Sequence, residues 1–493
     1  MDGDRLTALE SSFLAFEHPG RPVHVGAVAV FEADPLLDEH GDLRLDAIRS
    51  HVASRLGALP RLRQRLASGR FAGDRPHWVD DPGFDVARHV HHVSLPPPGD
   101  DDAFRRLAAE VHTAPLDHER PPWDIHLVTG LAGGHVGMVE RAHHAIVDGV
   151  GGVDLAAVLL DLDRAGTVPV PVPEPVVRPV PRPPAVPGGP ASDAASAAPA
   201  EASASPNALQ FLAGAATGSV TTVLRPVADT VLRPRATARR AAAVAGAIAA
   251  VIDEGLLAPR TSLDVPAGPD RRLAWTGARL VDVKAAGKAA GATVNDVVLT
   301  AVAGGLRALL VARGEPVPHD LVLKALVPVN ERAENDDHDL GNQVSAVLAP
   351  LPVGVASPVE RLGLVASATR RLKGRHEADG FSAALHAADL LPMPLVRGLV
   401  RAAEHQPFVN LVVTNVPGPP VPLYLLGARM LEAVPIVPLA ANLSLGAAVL
   451  SYGDALRICL TADADACPDV DVVVEGIEAD LGALGAHSLE DPS

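Results

Sequence analysis

Aromatic residues make up only 3% of the 493-residue chain, with three Trp, two Tyr and nine Phe. Its interiors must therefore be filled by Ala, Val and Leu, and an apolar fraction of 48% supplies enough of them to bury sizeable cores. Cysteine is scarcer still. Cys459 and Cys467 are the only two, which excludes a disulfide framework or a Cys-rich zinc site and makes a reducing cytoplasm the simplest compartment. Positive charge is also short: 42 Lys and Arg against 59 Asp and Glu leave a formal charge of −17. That sign is wrong for neutralising phosphates, so a general nucleic-acid binder is excluded. The opening MDGDRLTALESSF lacks the basic and apolar regions of a signal peptide.

Long apolar runs are missing as well. NALQFLAGAATGSVTTVL (Asn207 to Leu224) is diluted by Asn, Gln, Ser and Thr, and Arg225-Pro226 ends it. AAAVAGAIAAVI (Ala241 to Ile252) falls short of the roughly twenty residues that cross hydrocarbon, so neither is expected to span. The basic run RPRATARR between them (Arg233 to Arg240) can rest on an anionic membrane surface. The preferred reading is a soluble helix pair whose arginines face water.

What the chain does have, from Thr167 to Pro206, is TVPVPVPEPVVRPVPRPPAVPGGPASDAASAAPAEASASP. Proline this dense removes backbone donors and forbids helix, and the Ala/Ser-rich remainder has little to bury. Such a stretch is a connector rather than an element of a compact domain. Together with a length beyond what one core usually supports, it predicts residues 1–166 as an N-terminal lobe, 167–206 as a linker and 207–493 as a C-terminal lobe. Both lobes mix periodicities. HVGAVAVFE (24–32), GHVGMVERAHH (134–144), RLAWTGARLVDV (272–283), LVLKALVPVN, NQVSAVLAPLPV, FVNLVVTNVPG and LSLGAAVLSYGDALRICLTAD read as strands. DAIRSHVASRL (46–56), GGVDLAAVLLDL (151–162), DVKAAGKAAG and the long run TVNDVVLTAVAGGLRALLVARG read as helices. The fold class is α/β, with mixed sheets carrying helices on their faces.

The densest chemistry is RAHHAIVDGVGG, Arg141 to Gly152. On an extended strand His143 and His144 point to opposite faces, so they cannot chelate one metal side by side without a kink. A two-His-one-carboxylate iron site is the minor alternative, and no metal is expected. One imidazole can face a cleft while the other packs or bonds backbone, and an imidazole suits proton abstraction near neutrality. No G-x-S-x-G elbow occurs, because NLSLG (442–446) has Asn where the first Gly should be. A lone base acting on an already activated electrophile fits better than a Ser-His-Asp hydrolase.

H-H-x-x-x-D-G resembles the signature of the chloramphenicol-acetyltransferase-like superfamily, which includes peptide-synthetase condensation domains. The flanking LTALESSFLAFE, PVHVG, PRLRQRL, FDVARHVHHVSLPPPG and PLDHERPPWDIHLV are similar to one branch, the bacterial wax ester synthase/diacylglycerol acyltransferase family. So are TVNDVV, VPVNER, LGNQVS and TNVPGPPVPLY. Glu10 stands where the family has aspartate, and Pro121-Pro122-Trp123 where it has Pro-Leu-Trp. The resemblance implies two acetyltransferase-like lobes meeting at an active-site tunnel. It implies an O-acyltransferase that moves a fatty acyl group from acyl-CoA to diacylglycerol, a fatty alcohol, or both. His144 would be the general base, with His143 beside it, and Asp148 and Gly149 would shape the turn. Asn295 and Asp296 would support the active site or cap the helix that follows. Acyl-CoA is a co-substrate, and no cofactor is implied. The partners are acyl-CoA and a lipid alcohol, in the cytoplasm or peripherally at the inner membrane surface or lipid droplets. A condensation-like enzyme using carrier-bound acyl groups and a non-catalytic lipid-binding relative are the alternatives.

Overall fold

The computed structural model describes residues 4–18, 20–68, 75–149, 159–170, 257–330, 344–373, 404–486 and 489. Strands β1 (Asp4–Arg5), β2 (His24–Phe31), β3 (Gln64–Ala67), β4 (His77–Asp80), β5 (Val90–Ser94), β6 (Trp123–Thr129) and β7 (Val136–His143) precede the Pro-rich stretch. After it come β8 (Arg271–Arg279), β9 (Leu323–Asn330), β10 (Val344–Leu351), β11 (Leu411–Pro417), β12 (Tyr424–Leu425), β13 (Ala428–Ile436), β14 (Leu445–Tyr452) and β15 (Ala455–Asp463). The helices are α1 (Ala8–Phe16), α2 (Leu45–Arg55), α3 (Asp101–Thr113), α4 (His144–Gly149), α5 (Leu280–Ala289), α6 (Val294–Ala312), α7 (Pro358–Lys373) and α8 (Val470–Ala483).

Two six-stranded sheets organise these elements, in the orders β12-β13-β2-β7-β6-β5 and β10-β9-β11-β14-β15-β8, and β1, β4 and β3 form a small ribbon. Both large sheets mix parallel and antiparallel pairs, as expected of a mixed α/β fold. The sheets do not divide as the chain does. β13 lies well inside 207–493, yet it runs antiparallel to β2 and extends the N-terminal sheet. Without it β2 would be a bare edge of alternating Val and Ala, the kind of edge that recruits another strand. Val28 and Val30 of β2, Val434 and Ile436 of β13, Phe104 of α3, Leu273 of β8 and Cys459 of β15 then share one buried apolar layer.

The C-terminal core is built around α6. Its side chains from Val297 to Leu306 are almost entirely shielded from water, so a helix long and apolar enough to cross a membrane is here the centre of a packed domain. Gly305 and Gly476 let α6 and α8 approach until backbone meets backbone: a Cβ on Gly305 would lie 2.4 Å from the Val473 carbonyl oxygen. One expectation needs amending nearby. The strand expected over 272–283 ends at Arg279, because Leu280 and Val283, three apart, put one helical face on the core as α5 begins. The apolar stretches 207–224 and 241–252, most of the 167–206 connector and most of the helix expected at 151–162 lie outside the described residues.

Candidate active site

β7 delivers His143 as its last residue and α4 begins at His144, so the strand's alternation is broken between the two rings. His143 sits opposite His24 across the β2–β7 pair, and both are fully buried. Nδ1 of His143 accepts the backbone N–H of Ala145 at 3.1 Å. A neutral imidazole that accepts at Nδ1 carries its proton on Nε2, and burial keeps the ring neutral by pushing its pKa down to about 3. His24 has the opposite tautomer. Its Nδ1 donates to the His112 carbonyl at 3.0 Å, which leaves Nε2 as a bare lone pair, and burial followed by the Arg141 charge brings its pKa to about 4.

His144 is placed differently. Its backbone N–H donates to the Val23 carbonyl at 2.9 Å. Its ring stacks on Phe13, with centroids 3.9 Å apart and planes inclined by 22°. Nδ1 is buried and makes no hydrogen bond, while the residue as a whole stays partly exposed. Loss of water around the ring pushes its pKa down to about 4, opposed in part by its own backbone carbonyl. A neutral imidazole held flat against an aromatic ring, in a residue that keeps some exposure, can accept a proton at any pH above that value. Asp148 and Gly149 end α4. The Asp148 side chain lies outside the described residues.

Three imidazoles converge on Glu17, the C-cap of α1. Its carboxylate is 3.1 Å from His118 Nε2, 3.7 Å from His143 Nε2 and 3.9 Å from His24 Nε2. Burial alone would raise the Glu17 pKa, but the bond from His118 and the neighbouring imidazoles hold it below the usual range. The same bond raises His118. The carboxylate and the His118 and His143 nitrogens lie within 4.8 Å of one another, the reach of a cation site. The hydrogen bonding opposes that use: His143 Nε2 carries a proton for as long as Nδ1 holds Ala145, and a metal needs a lone pair there. A second group, His91, Asp124 and His126, is set by the β5–β6 register, which puts His91 opposite His126. There Arg141 donates to both Asp124 oxygens at 2.8 Å, so its positive charge already occupies the carboxylate.

The remaining expected residues sit at the start of α6. Thr293 is the N-cap. Asp296 completes a capping box by accepting Thr293 N–H at 2.8 Å, and its other oxygen accepts the Thr369 hydroxyl at 2.7 Å. The cap expected of Asn295 or Asp296 thus belongs to Thr293, because its hydroxyl precedes the first helical residue. Asn295 instead accepts from the Asn415 amide at 3.4 Å, which joins the Asn-Asp motif to the Asn-Val-Pro-Gly-Pro element. Trp123 is core, with its indole N–H donating to the Leu62 carbonyl at 2.7 Å. Glu10 closes the capping box of α1 with Thr7.

Phe13, Glu17, His24 and His118 were not singled out from the sequence. Phe13 and Glu17 carry a readable signal, an aromatic and a carboxylate four apart at the end of one helix. His24 and His118 carry none, because their roles depend on strand register and on a loop's return.

The model of the wax ester synthase/diacylglycerol acyltransferase catalytic domain matches residues 6–298, and that of the C-terminal domain of the same proteins matches residues 340–485. A Mycobacterium tuberculosis protein described as a probable diacylglycerol O-acyltransferase is 32% identical over 98% of this chain and 96% of its own. The solved wax ester synthase/diacylglycerol acyltransferase from Marinobacter aquaeolei VT8 is similar over 98% of both chains, with a TM-score of 0.65 at 24% identity. The starter condensation domain of rhizomide synthetase is similar over 98% of this chain and 94% of its own, with a TM-score of 0.54 at 15% identity.

Proposed function

The chain belongs to the wax ester synthase/diacylglycerol acyltransferase family, and on that premise we propose that His144 is the general base of its acyl transfer. The acyl donor is acyl-CoA, and the acceptor is the free hydroxyl of diacylglycerol or of a fatty alcohol. Family membership makes the chain an O-acyltransferase of lipid metabolism. The finer assignment rests on one observation, the neutral ring of His144 stacked on Phe13 in a residue that stays partly exposed.

In this reading the hydroxyl proton passes to Nε2 of His144, since Nδ1 is buried. The alcohol oxygen bonds to the thioester carbonyl carbon, and the carbonyl oxygen takes up the negative charge. The C–S bond then breaks, the carbonyl re-forms, and the departing thiolate takes the proton back from His144. A thioester is activated enough that no covalent enzyme intermediate is needed, only a base and two positioned reactants. Asn295 and Asn415, joined side chain to side chain, are the candidate amide donors toward the oxyanion. The two substrates meet in a tunnel between the two sheets, and the enzyme works in the cytoplasm at a membrane or lipid-droplet surface, where its acceptors are found. Likeness to condensation domains concerns the fold alone and does not favour a carrier-bound donor.

The test is acyl-CoA-dependent turnover of His144→Ala beside the wild type. Loss of turnover with retained folding is expected, and equal turnover overturns the assignment. A fatty alcohol and a diacylglycerol offered in competition decide the acceptor.

A further inference from the structure

Phe13 and Glu17 stand four residues apart, so the last turn of α1 and its cap present both on one side. One meets each imidazole of the motif. Phe13 stacks on His144, and the Glu17 carboxylate lies 3.7 Å from His143 Nε2. His143 in turn holds the N–H of Ala145, the residue directly after His144. That hydrogen bond exists only in the Nε2–H tautomer, which a negative charge beside Nε2 favours.

We propose that Phe13 and Glu17 are positioning residues for acyl transfer: Glu17 holds His143 in the tautomer that ties down Ala145, and Phe13 fixes the plane of His144, so that the free ring nitrogen stays aimed at the acceptor hydroxyl. The inference rests on the reading of His144 as the base. Both act through the two imidazoles they meet. Helix α1 is suited to the task because both of its ends are tied. Thr7 and Glu10 bond reciprocally at its start, at 2.6 and 3.2 Å, and the Glu17 N–H donates to the Phe13 carbonyl at 3.1 Å. A displacement of about 1 Å in a positioned group costs on the order of 10²-fold in rate.

Steady-state kinetics with hexadecanoyl-coenzyme A and hexadecanol test the proposal, with thermal midpoints recorded for every variant. Glu17→Ala is expected to lower kcat about 10²-fold, with KM for both substrates within about two-fold of wild type. Glu17→Gln keeps a partly negative oxygen facing Nε2–H, and it is expected to recover at least about ten-fold of that loss. Phe13→Leu keeps bulk but loses the flat face, and kcat is expected to fall about ten-fold at an unchanged thermal midpoint. Wild-type kcat in Glu17→Ala overturns the proposal. So does a Gln variant no better than Ala with KM raised, because that pattern belongs to a merely structural side chain. His144→Ala in the same assay keeps the two readings apart. If it turns over normally, the base assignment fails; if it is inactive while Glu17→Ala runs at full rate, only the positioning role fails.

Discussion

Helix α6 and strand β7 are both almost wholly buried, and they bury opposite chemistry. α6 hides Val, Leu, Ala and Gly, and its polar Asp296 and Thr300 are satisfied close by, in a capping box and by a bond to a carbonyl one turn back. β7 hides Glu140, Arg141 and His143, and around its end several imidazole nitrogens are buried without hydrogen bonds: Nε2 of His24, His112 and His143, and Nδ1 of His144. Burying an unbonded polar atom costs free energy, whereas burying an aliphatic side chain stabilises. α6 is therefore placed to hold the fold together, and the end of β7 tolerates a cost that packing alone does not explain. On the proposed reading, proton transfer belongs to the end of β7, and the C-terminal core is the scaffold that also presents Asn295 and Asn415.

The sharpest way to break this comparison is His144→Ala. General-base catalysis contributes about 10²–10⁴-fold, so kcat is expected to fall on the order of 10³-fold. The thermal midpoint is expected to change little, since the variant also removes a buried nitrogen that has no partner. A large drop in midpoint would instead make His144 part of the scaffold.

Acid is the next largest perturbation, and its largest effect falls on the imidazoles around the β7 end. In the scaffold Asp480, raised to about 6 by burial, works in the opposite direction. His24, His143 and His144 have folded pKa values of about 4, 3 and 4, below the roughly 6.5 of an unfolded histidine. Between those values the unfolded chain binds protons that the folded chain refuses. Their contribution is thus complete above about pH 6.5 and is lost as pH falls toward 4. His118 runs the other way, being raised by Glu17: its contribution is present below about 6.5 and lost as pH rises through its folded pKa. Urea unfolding at pH 7 and pH 5 is expected to show a loss on the order of 3 kcal/mol at the lower pH. A flat profile would mean that the three rings are not neutral in the folded protein.

In the scaffold, Gly305→Ala reads the opposite quantity. Its Cβ would meet the Val473 carbonyl oxygen at 2.4 Å, with Ile477 also close. α6 and α8 must separate, at a cost of about 2 kcal/mol in unfolding free energy. Turnover per folded molecule is expected to be unchanged. A kcat that falls with stability would tie the α6–α8 contact to catalysis and erase the division.

The scaffold was the more legible half. A capped apolar run of helical period foretells α6, and apolar runs of strand length foretell β2, β7, β14 and β15, because one local pattern suffices for each. β13 was missed, since ARMLEAVPI mixes charge and apolar residues and pairs with β2 across nearly the whole chain. Within the site, His143 and His144 stand out as a motif, and backbone bonding by one of them was foreseeable. Glu17's role was not. It depends on His24, His118 and His143 arriving from three separate segments, and no spacing in the chain encodes their meeting. Asn295 was legible as a motif residue, but its partner Asn415 lies 120 residues away.

The smallest effects sharpen the comparison best, because the two regions share one device. α1 and α6 each begin with a capping box, Thr7 with Glu10 and Thr293 with Asp296. Replacing either threonine by alanine removes one capping bond and is expected to cost about 1 kcal/mol in urea unfolding. The consequences for turnover should differ. Thr7→Ala loosens the helix that carries Phe13 and Glu17, so kcat is expected to drop a few-fold while KM stays put. Thr293→Ala loosens a helix that remains clamped by its core and by the Thr369 bond to Asp296, so kcat is expected to hold. If Thr293→Ala also slows turnover, then the cap is needed to hold Asn295, the candidate oxyanion donor bonded to Asn415, in place, and the boundary between scaffold and chemistry runs through the first turn of α6.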